Sequence, residues 1–254
     1  MLLKRVMPCL LLKNGALVKT ICFKKEIYIG DPINTVRIFN QKEVDELIFL
    51  DIYATANNQK PPFDLIQYIS QECFMPFSYG GGIRSLDDVS KLFSLGVEKV
   101  AVNTYALEDH DFITQISEIY GVQSVIVSID VKKDFFGNYK VYKNKGQKKT
   151  NLTPVQYAKI AEKLGAGEIL LTSIERDGMM QGYDINLIKE VADAVSVPVI
   201  ACGGAGCIRD LEEAVSQGNA SAVAAGSLFV YQNANRAVLV NFPNRQKLQN
   251  IFES

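Results

Sequence analysis

The sequence predicts an α/β protein, a closed (β/α)8 TIM barrel with a twofold half-barrel repeat, formed by one domain over residues 1–254. Three observations support this fold class. Apolar segments of strand length alternate with amphipathic segments of helical length, one half of the chain repeats in the other, and no linker rich in Pro, Gly or Ser divides it. Two four-stranded halves complete a ring, so the repeat favours a closed barrel over an open doubly wound sheet.

Each predicted strand is a short apolar run, and each is followed by a segment whose apolar residues recur at helical spacing. The predicted strands are 4–11, 46–52, 76–80, 98–103, 124–131, 168–173, 197–202 and 220–225. The predicted helices are 32–44, 62–73, 85–95, 109–119, 153–164, 184–195 and 208–217, with a last helix near the C-terminus. This alternation of strand and helix is typical of a parallel sheet with helices on its outer face.

The internal repeat aligns two stretches of the chain at a constant offset. Gly82–Gly96 recurs as Gly204–Gly218, 122 residues later, and the same offset aligns Glu46–Asp51 with Glu168–Ser173. Equivalent residues should therefore occupy equivalent places in the two halves of the barrel.

A second correspondence aligns Cys9–Lys13 with Ser128–Lys132, and it sets Leu11 against Asp130. One half of the molecule thus has a carboxylate at the end of a strand where the other half has an alkyl side chain. Any function proposed for the protein has to accommodate this difference.

Composition excludes several classes of function. The chain is 48% hydrophobic and 22% charged, so it can bury a large core, and its formal net charge of −1 gives no electrostatic case for nucleic acid. No apolar run approaches the ~20 residues that a membrane helix needs, and the N-terminus begins as a strand and not as a signal peptide. The densest cationic run, 143–149, is interpreted as a solvated loop.

The cysteine and histidine content limits the kinds of site that the chain can form. The five cysteines form no Cys-x-x-Cys pair, which favours reduced thiols in a cytoplasmic protein over a disulfide framework or a metal site. A single histidine, His110, leaves no basis for Ser-His or Cys-His catalysis. The dinucleotide motif Gly-x-Gly-x-x-Gly is absent, and no cofactor is predicted.

Glycine-rich turns follow predicted strands three and seven, and hydrogen-bond donors end the next strand in each half. Ligands of such barrels bind at the loops after the strands, and the N–H groups of glycine turns can cradle anions. The glycines could instead serve only tight turns, but their paired occurrence favours two facing phosphate sites. The predicted phosphate- and substrate-binding residues are Gly81, Gly82, Asn103, Thr104, Thr172, Gly203, Gly204, Gly226 and Ser227.

Four charged residues begin strands of the predicted barrel. Because side chains alternate along a strand, Arg5 shares a face with Leu11, and Lys99 shares a face with Asn103. Glu46 and Glu168 occupy equivalent places in strands two and six. We expect these charges to pair inside the opposite end of the barrel, since unpaired charges there would be costly, and to form either a structural plug or a gate.

Ten stretches spread over nearly the whole chain share one family pattern. They are Lys4–Leu10, Val18–Lys19, Gly30–Pro32, Asp45–Asp51, Tyr79–Ile83, Glu98–Val100, Ser128–Asp130, Gly165–Ile174, Arg176–Gly178 and Gly203–Gly206. Through them the chain resembles the cyclase subunit of imidazole glycerol phosphate synthase. In that family a glutaminase docks at the N-terminal face of the barrel, and ammonia passes through a salt-bridged ring. The resemblance thus implies that Arg5, Glu46, Lys99 and Glu168 are an ammonia gate and that Gln123 faces the glutaminase.

The resemblance also implies catalytic roles for Asp130, Lys19 and Asp177. The family's cyclase uses two aspartates as acid and base on a phosphorylated ribulosyl aminoimidazole carboxamide, and Leu11 replaces the first of them. Leucine transfers no proton, so we expect cyclase activity to be weak or absent. Asp51 or Asp130 could take over both roles, but one group cannot hold opposite protonation states at once.

Pro8–Lys13 and Ala225–Val230 are similar to a paralogous branch of that family, found with sugar amidation for bacterial surface polysaccharides. This similarity implies a barrel that binds a glutaminase, holds a phosphorylated ligand and passes ammonia to a third protein, an amidotransferase acting on a nucleotide-activated sugar. Two alternatives stay open: an authentic cyclase of histidine biosynthesis with a relocated acid, and a non-catalytic scaffold that activates a glutaminase.

Overall fold

The computed structural model describes residues 4–232 and 236–252. The strands are β1 (Arg5–Lys13), β2 (Ala16–Ile21), β3 (Lys24–Gly30), β4 (Leu47–Asp51), β5 (Phe77–Gly80), β6 (Lys99–Val102), β7 (Val125–Lys133), β8 (Tyr139–Lys143), β9 (Lys148–Lys149), β10 (Glu168–Ser173), β11 (Val199–Cys202), β12 (Ala222–Ala225), β13 (Tyr231–Gln232) and β14 (Ala237–Val238). The helices are α1 (Pro32–Gln41), α2 (Phe63–Glu72), α3 (Leu86–Ser94), α4 (Thr104–Glu108), α5 (Asp111–Tyr120), α6 (Pro154–Lys163), α7 (Ile185–Ala192), α8 (Ile208–Ser216), α9 (Ser227–Val230) and α10 (Arg245–Phe252). None of the helices in these described ranges is long and apolar enough to cross a membrane.

Eight of the strands form a closed parallel barrel. They are hydrogen-bonded in the order β1, β4, β5, β6, β7, β10, β11 and β12, and β12 pairs again with β1. The predicted (β/α)8 fold is therefore confirmed. The two halves of the repeat correspond to the two runs of four strands, and Glu46 and Glu168 enter them at equivalent places.

The buried side chains form two layers because strand residues alternate between the faces of the sheet. The larger layer lies between the strands and the surrounding helices. The smaller layer fills the barrel interior and is lined by Met7, Cys9, Leu11, Ile48, Ala101, Ile126, Leu170, Ile200, Cys202, Ala222 and Ala224. Leu11 thus points into the barrel, as strand alternation predicts.

A β-hairpin of β2 and β3 follows β1, where the sequence analysis places no element. The turn that joins β1 to β2 is Asn14–Gly15, with φ values of 50° and 78°, and Lys13 pairs with Ala16 across it. Two positive φ values are typical of the two-residue turn that matches the twist of a hairpin, and Asn-Gly is the sequence that favours it. The turn between β2 and β3 is Cys22–Phe23, with φ values of 50° and 59°, and it has no such sequence signal. The sequence therefore indicated the β1–β2 turn but not the β2–β3 turn.

A second hairpin corrects the interpretation of 143–149 as a solvated loop. β7 continues to Lys133 and pairs with β8, which in turn pairs with β9. Lys143 forms an ion pair with Glu108 at 2.7 Å, and Lys145 forms one with Glu26, so these cations hold the hairpin against neighbouring elements. Composition alone does not indicate that Lys143 and Lys145 are paired, because their partners, Glu108 and Glu26, are far away in sequence.

Candidate functional site

A ring of four charges closes the N-terminal end of the barrel interior. Arg5 donates to Glu46 at 2.8 Å and to Glu168 at 2.6 Å. Lys99 lies 3.1 Å from Glu46 and 3.4 Å from Glu168, so each cation contacts both carboxylates. Both glutamates are buried, and the pairing offsets the cost of removing four charges from water. The expected inward orientation and pairing are present, while the role of the ring as a gate stays a prediction.

Ser78 adds a hydrogen bond to this ring, and the two glutamates keep the Arg5 guanidinium protonated. The Ser78 hydroxyl donates to Glu46 Oε1 at 3.2 Å. Burial lowers the pKa of Arg5, but Glu168 and Glu46 outweigh it, so the pKa is raised overall. The guanidinium therefore stays charged.

Apolar side chains separate the charged ring from the other end of the barrel. Ile48, Ile126, Leu170 and Ile200 lie in this band, and each is fully buried. Uncharged ammonia loses little on crossing an apolar band, whereas an ammonium ion would have to shed its hydration. The arrangement suits the passage of a small neutral molecule better than that of an ion.

A cavity of about 420 Å³ opens at the C-terminal end of the barrel, where ligands of this fold bind. Residues from both halves line it. All nine predicted phosphate- and substrate-binding residues are among them, together with Lys19, Asp130 and Asp177. The structure thus brings the predicted site residues of the C-terminal face together in one cavity, and it places the charged ring at the far end.

Asp130 is the buried carboxylate of this cavity. Burial raises its pKa to about 7, and a hydrogen bond from Asn103 Nδ2 to Asp130 Oδ2, 2.9 Å long, acts in the opposite direction. A carboxyl group with a pKa near 7 is suited to exchange protons at neutral pH.

Leu11 supplies an apolar wall where the other half supplies this carboxylate. It is 7% exposed, packs in the interior cluster with Val18 and Leu50, and lines the cavity. Three other acidic residues line the cavity, Asp51, Glu108 and Asp177. Glu108 forms an ion pair with Lys143 at 2.7 Å, and burial raises the pKa of Asp51. Asp51 accepts the N–H groups of Tyr53 at 2.8 Å and Ala54 at 2.9 Å.

Asp177 holds the β2–β3 hairpin in place. Its carboxylate accepts the Thr20 hydroxyl at 2.6 Å and the N–H of Phe23 at 3.2 Å, and its carbonyl accepts the N–H of Cys22 at 2.9 Å. These contacts tie the hairpin to the loop after β10. They make Asp177 a positioning residue in this structure, and its predicted catalytic role remains a prediction.

Lys19 enters the cavity from β2, a strand of the first hairpin. It is 5% exposed, and its Nζ donates to the Cys9 carbonyl at 3.1 Å. A Cβ at Gly226 would overlap Lys19 Nζ, so glycine at this position makes the space for the ammonium group. A cation is therefore placed directly beside the predicted anion cradle of the second half.

Backbone conformation also explains why glycine occupies these turns. Gly81 and Gly204 have φ values of 116° and 124°, and a Cβ at either would clash with a backbone oxygen, that of Asp51 or that of Gly182. Packing alone thus requires glycine there. Phosphate binding at these turns stays a prediction. It is supported by Lys19, a cation that lines the same cavity as the turns.

Sequence reasoning missed several residues of the cavity. Arg84 lies two residues after Gly82 and donates to the Thr55 carbonyl at 3.0 Å, and its place near the first glycine turn was a usable signal. Lys145 reaches the mouth from the second hairpin, which sequence reasoning did not identify. Cys9 and Cys202 form a thiol hydrogen bond in the cavity, and this bond and burial raise the pKa of Cys202. Their contact joins β1 and β11 and is not visible in the sequence.

Fold and site together define a closed barrel with a paired charged floor, an apolar interior and a cavity suited to anionic ligands. The model for the histidine biosynthesis protein family matches residues 5–235, and the chain belongs to that family. Within the described residues, no cluster of three or more His, Cys, Asp or Glu side chains is arranged to hold a metal ion.

Relatives with similar sequences cover the chain almost completely. A Pseudomonas aeruginosa protein with the provisional name imidazole glycerol phosphate synthase subunit hisF2 is 52% identical over 248 residues, 98% of this chain and 99% of the relative. A Vibrio vulnificus protein, provisionally named subunit hisF3, is 42% identical over 254 residues, 100% of this chain and 98% of its own. The imidazole glycerol phosphate synthase subunit HisF of Alkaliphilus metalliredigens is 40% identical over 235 residues, 92% and 93% of the two chains.

Proposed function

We propose that this protein is the ammonia-receiving barrel subunit of a glutamine amidotransferase complex, and that it relays ammonia to a separate enzyme that amidinates a nucleotide-activated sugar. Relatives named as imidazole glycerol phosphate synthase subunits support the general class. The numbered names hisF2 and hisF3 support a paralogue of the cyclase subunit.

The observation that carries the proposal is Leu11 opposite Asp130. Cyclisation by this family's chemistry needs one group that accepts a proton while another donates one. Asp130, with a pKa of about 7, supplies one such group. The wall opposite it is apolar, and Asp51 and Asp177 each use one carboxylate oxygen to accept two hydrogen bonds that shape the neighbouring loop or hairpin. The cavity therefore keeps half of the proton-transfer machinery.

The order of charged ring, apolar band and cavity along the barrel axis supports ammonia relay. The ring of Arg5, Glu46, Lys99 and Glu168 faces the end at which a glutaminase would dock. The apolar band follows, and the cavity lies above it. A transient opening of the ring would admit ammonia to a conduit that disfavours the charged ammonium ion.

The N-terminal face also carries exposed apolar residues suited to a protein partner. Phe74 is 85% exposed just before β5, and Ile119 and Val122 are exposed just before β7. Gln123, beside Val122, is exposed on the same face. Covering these exposed apolar residues with a partner would lower the free energy of the complex, so they favour glutaminase docking at this face.

The cavity keeps cations for a phosphorylated ligand. Lys19 lies beside Gly226, and Arg84 follows two residues after the first glycine turn. Lys145 also lines the cavity. In a relay protein such a ligand would hold the C-terminal loops closed and signal to the glutaminase that the barrel is ready. The ligand thus has a regulatory role here and is not consumed.

A second candidate is the authentic cyclase, which the retained Lys19 and the Asp130–Asn103 pair favour. Leu11→Asp separates the two functions, and Leu11→Asn is the matched control, because asparagine has the same shape and transfers no proton. Turnover of the phosphorylated ribulosyl aminoimidazole carboxamide with ammonium chloride would be measured for each. We expect wild type and Leu11→Asn to be slow and Leu11→Asp to be faster by about 10²–10⁴-fold. Wild-type turnover equal to that of Leu11→Asp would contradict the relay and restore the cyclase.

A further inference from the structure

Two phenylalanines stand almost fully in solvent at the C-terminal face of the barrel. Phe135 is 97% exposed and Phe136 is 83% exposed, at the tip of the β7–β8 hairpin. Their rings contact each other edge to face, with centroids 5.6 Å apart. Burial of a phenylalanine side chain stabilises a protein or complex by about 1.5–3 kcal/mol. In the isolated chain this stabilisation is absent for both phenylalanines, and a partner that covers them would supply it.

The tip is rigid because Asp134 closes it. The Asp134 carboxylate accepts the N–H groups of Phe136 and Asn138, each at 3.0 Å. The Asp134 N–H donates to the Asn138 carbonyl at 2.9 Å, and Gly137 donates to the Asp134 carbonyl at 3.0 Å. Aromatic side chains on a preorganised turn lose little entropy on binding, which is a property of anchor residues in protein interfaces.

The hairpin also carries an unfavourable pair of like charges. Lys132 and Lys140 lie directly opposite each other in the β7–β8 register, and neither forms an ion pair with the part of the chain that the structure describes. Like charges at such positions are destabilising. Lys133 follows on the same strand, with its ammonium 4.9 Å from the centroid of the Tyr139 ring. The hairpin therefore presents positive charge beside its apolar tip and favours an acidic partner.

The position of the tip relates it to the cavity. β7 carries Asp130 in the cavity wall and continues directly to the tip, and the Lys133 N–H donates to Glu175 Oε2 at 3.2 Å, which fixes the hairpin to the loop after β10. A protein held at this tip would stand over the cavity mouth, where ammonia leaves the barrel.

We infer that the Phe135–Phe136 tip is the anchor by which the ammonia acceptor enzyme docks, through an apolar cleft rimmed by Asp and Glu on that enzyme. This inference rests on the proposed relay function. An anionic membrane would also attract lysines and aromatic rings, but a protein is favoured, since relayed ammonia has to enter an active site and a membrane would only cover the mouth.

The test begins with a photo-reactive phenylalanine analogue at position 135 in the source cells, and with the same analogue at Tyr68, 62% exposed on α2, as a control. A protein crosslinked from 135 and not from 68 is purified. It is mixed with the barrel, its glutaminase, amide-15N glutamine and nucleotide-activated sugars, and transfer of 15N to sugar is measured. We expect the double variant Phe135→Ser and Phe136→Ser to lower this transfer at least tenfold. Glutamine hydrolysis should stay unchanged, and so should sugar amidination fed by ammonium chloride.

Phe74→Ser is the matched variant on the opposite face. It should weaken glutaminase binding and leave the acceptor bound, so the two variants separate the two docking faces. Association with the acceptor should also weaken with salt and with Lys132→Glu, because complementary charge steers encounter.

Several outcomes would overturn the docking inference. They are wild-type 15N transfer by the double variant, no protein specific to position 135, and sedimentation with phosphatidylglycerol vesicles that depends on Phe135 and Phe136 without any acceptor. Failure of the relay itself looks different: the wild-type barrel then transfers no 15N to any sugar, although the crosslinked protein still binds at the tip.

Discussion

At the scale of single residues, the asymmetry between Leu11 and Asp130 decides the chemistry. Both lie at the end of the first strand of a half-barrel and both line the same cavity. The carboxyl group is buried and hydrogen-bonded to Asn103, and burial raises its pKa to about 7. The leucine packs against apolar neighbours and carries no exchangeable proton. The first strand of one half therefore carries a titrating group where the first strand of the other half carries none.

Burial of Asp130 should make stability depend on pH. The folded state holds its proton up to pH of about 7, whereas the unfolded chain releases it near 3.8, so this contribution to stability is lost as the pH rises from about 4 to about 7. The difference corresponds to at most about 4 kcal/mol. Asp130→Asn keeps the shape and cannot ionise, and it should be the more stable protein at pH 8. Urea unfolding at pH 4 and pH 8 measures this, and parallel pH curves for the two proteins would contradict it.

At the scale of elements, two hairpins added to the barrel form the walls of the cavity. β2–β3 brings Lys19 inward, and the turn between β8 and β9 brings Lys145 to the mouth. Glu26 joins them, since its carboxylate pairs with both Lys13 and Lys145. These ion pairs lower the pKa of Glu26. The C-terminal face is therefore closed on one side by contacts between the hairpins and is not an open rim.

The attachment of the first hairpin to the loop after β10 can be tested at Asp177. Asp177→Ala removes the acceptor of Thr20 and Phe23, so amides of the hairpin over 16–30 should exchange faster with deuterium. We expect a loss of stability of about 1–3 kcal/mol, because two donors lose their partner. Thr20→Val removes only the hydroxyl and should give a smaller effect. Unchanged exchange in Asp177→Ala would show that other contacts hold the hairpin.

At the scale of the whole molecule, the barrel separates two chemical environments. Paired charges occupy one end of the interior and a cavity with a titrating carboxylate occupies the other, with an apolar band between them. A partner at each end would couple ammonia production to ammonia use. The exposed aromatic residues Phe74 and Phe135 lie at opposite ends and are consistent with two docking faces.

Lys99 tests whether the ring acts as a gate. Lys99→Ala leaves Glu46 and Glu168 with Arg5 as their one ring cation, and we expect about 3 kcal/mol lower stability. If ammonia passes the ring, the fraction of glutamine nitrogen that reaches the sugar should change as well. Lys99→Arg keeps the charge and serves as the control. A destabilised Lys99→Ala protein that still delivers the wild-type fraction would identify the ring as a plug.

Much of the architecture was predictable because it depends on local periodicity. Alternation along strands placed Arg5 and Lys99 inside the barrel before any contact was known. Glycine and polar residues after the strands indicated the cavity at the C-terminal face. The hairpins were missed because the prediction sought strands followed by helices, although Asn14–Gly15 was a readable hairpin turn.

Residue type and spacing were enough to predict the barrel, its twofold repeat, the four charges at its N-terminal end and the leucine at position 11 opposite Asp130. Other properties emerge only in the folded molecule: which charges pair, the rise of the pKa of Asp130 to about 7 on burial, the contacts of Asp177 with a hairpin, and the exposure of Phe135 and Phe136. Pairing, desolvation and exposure depend on groups far apart in the chain, and distance in space is set only when the barrel closes.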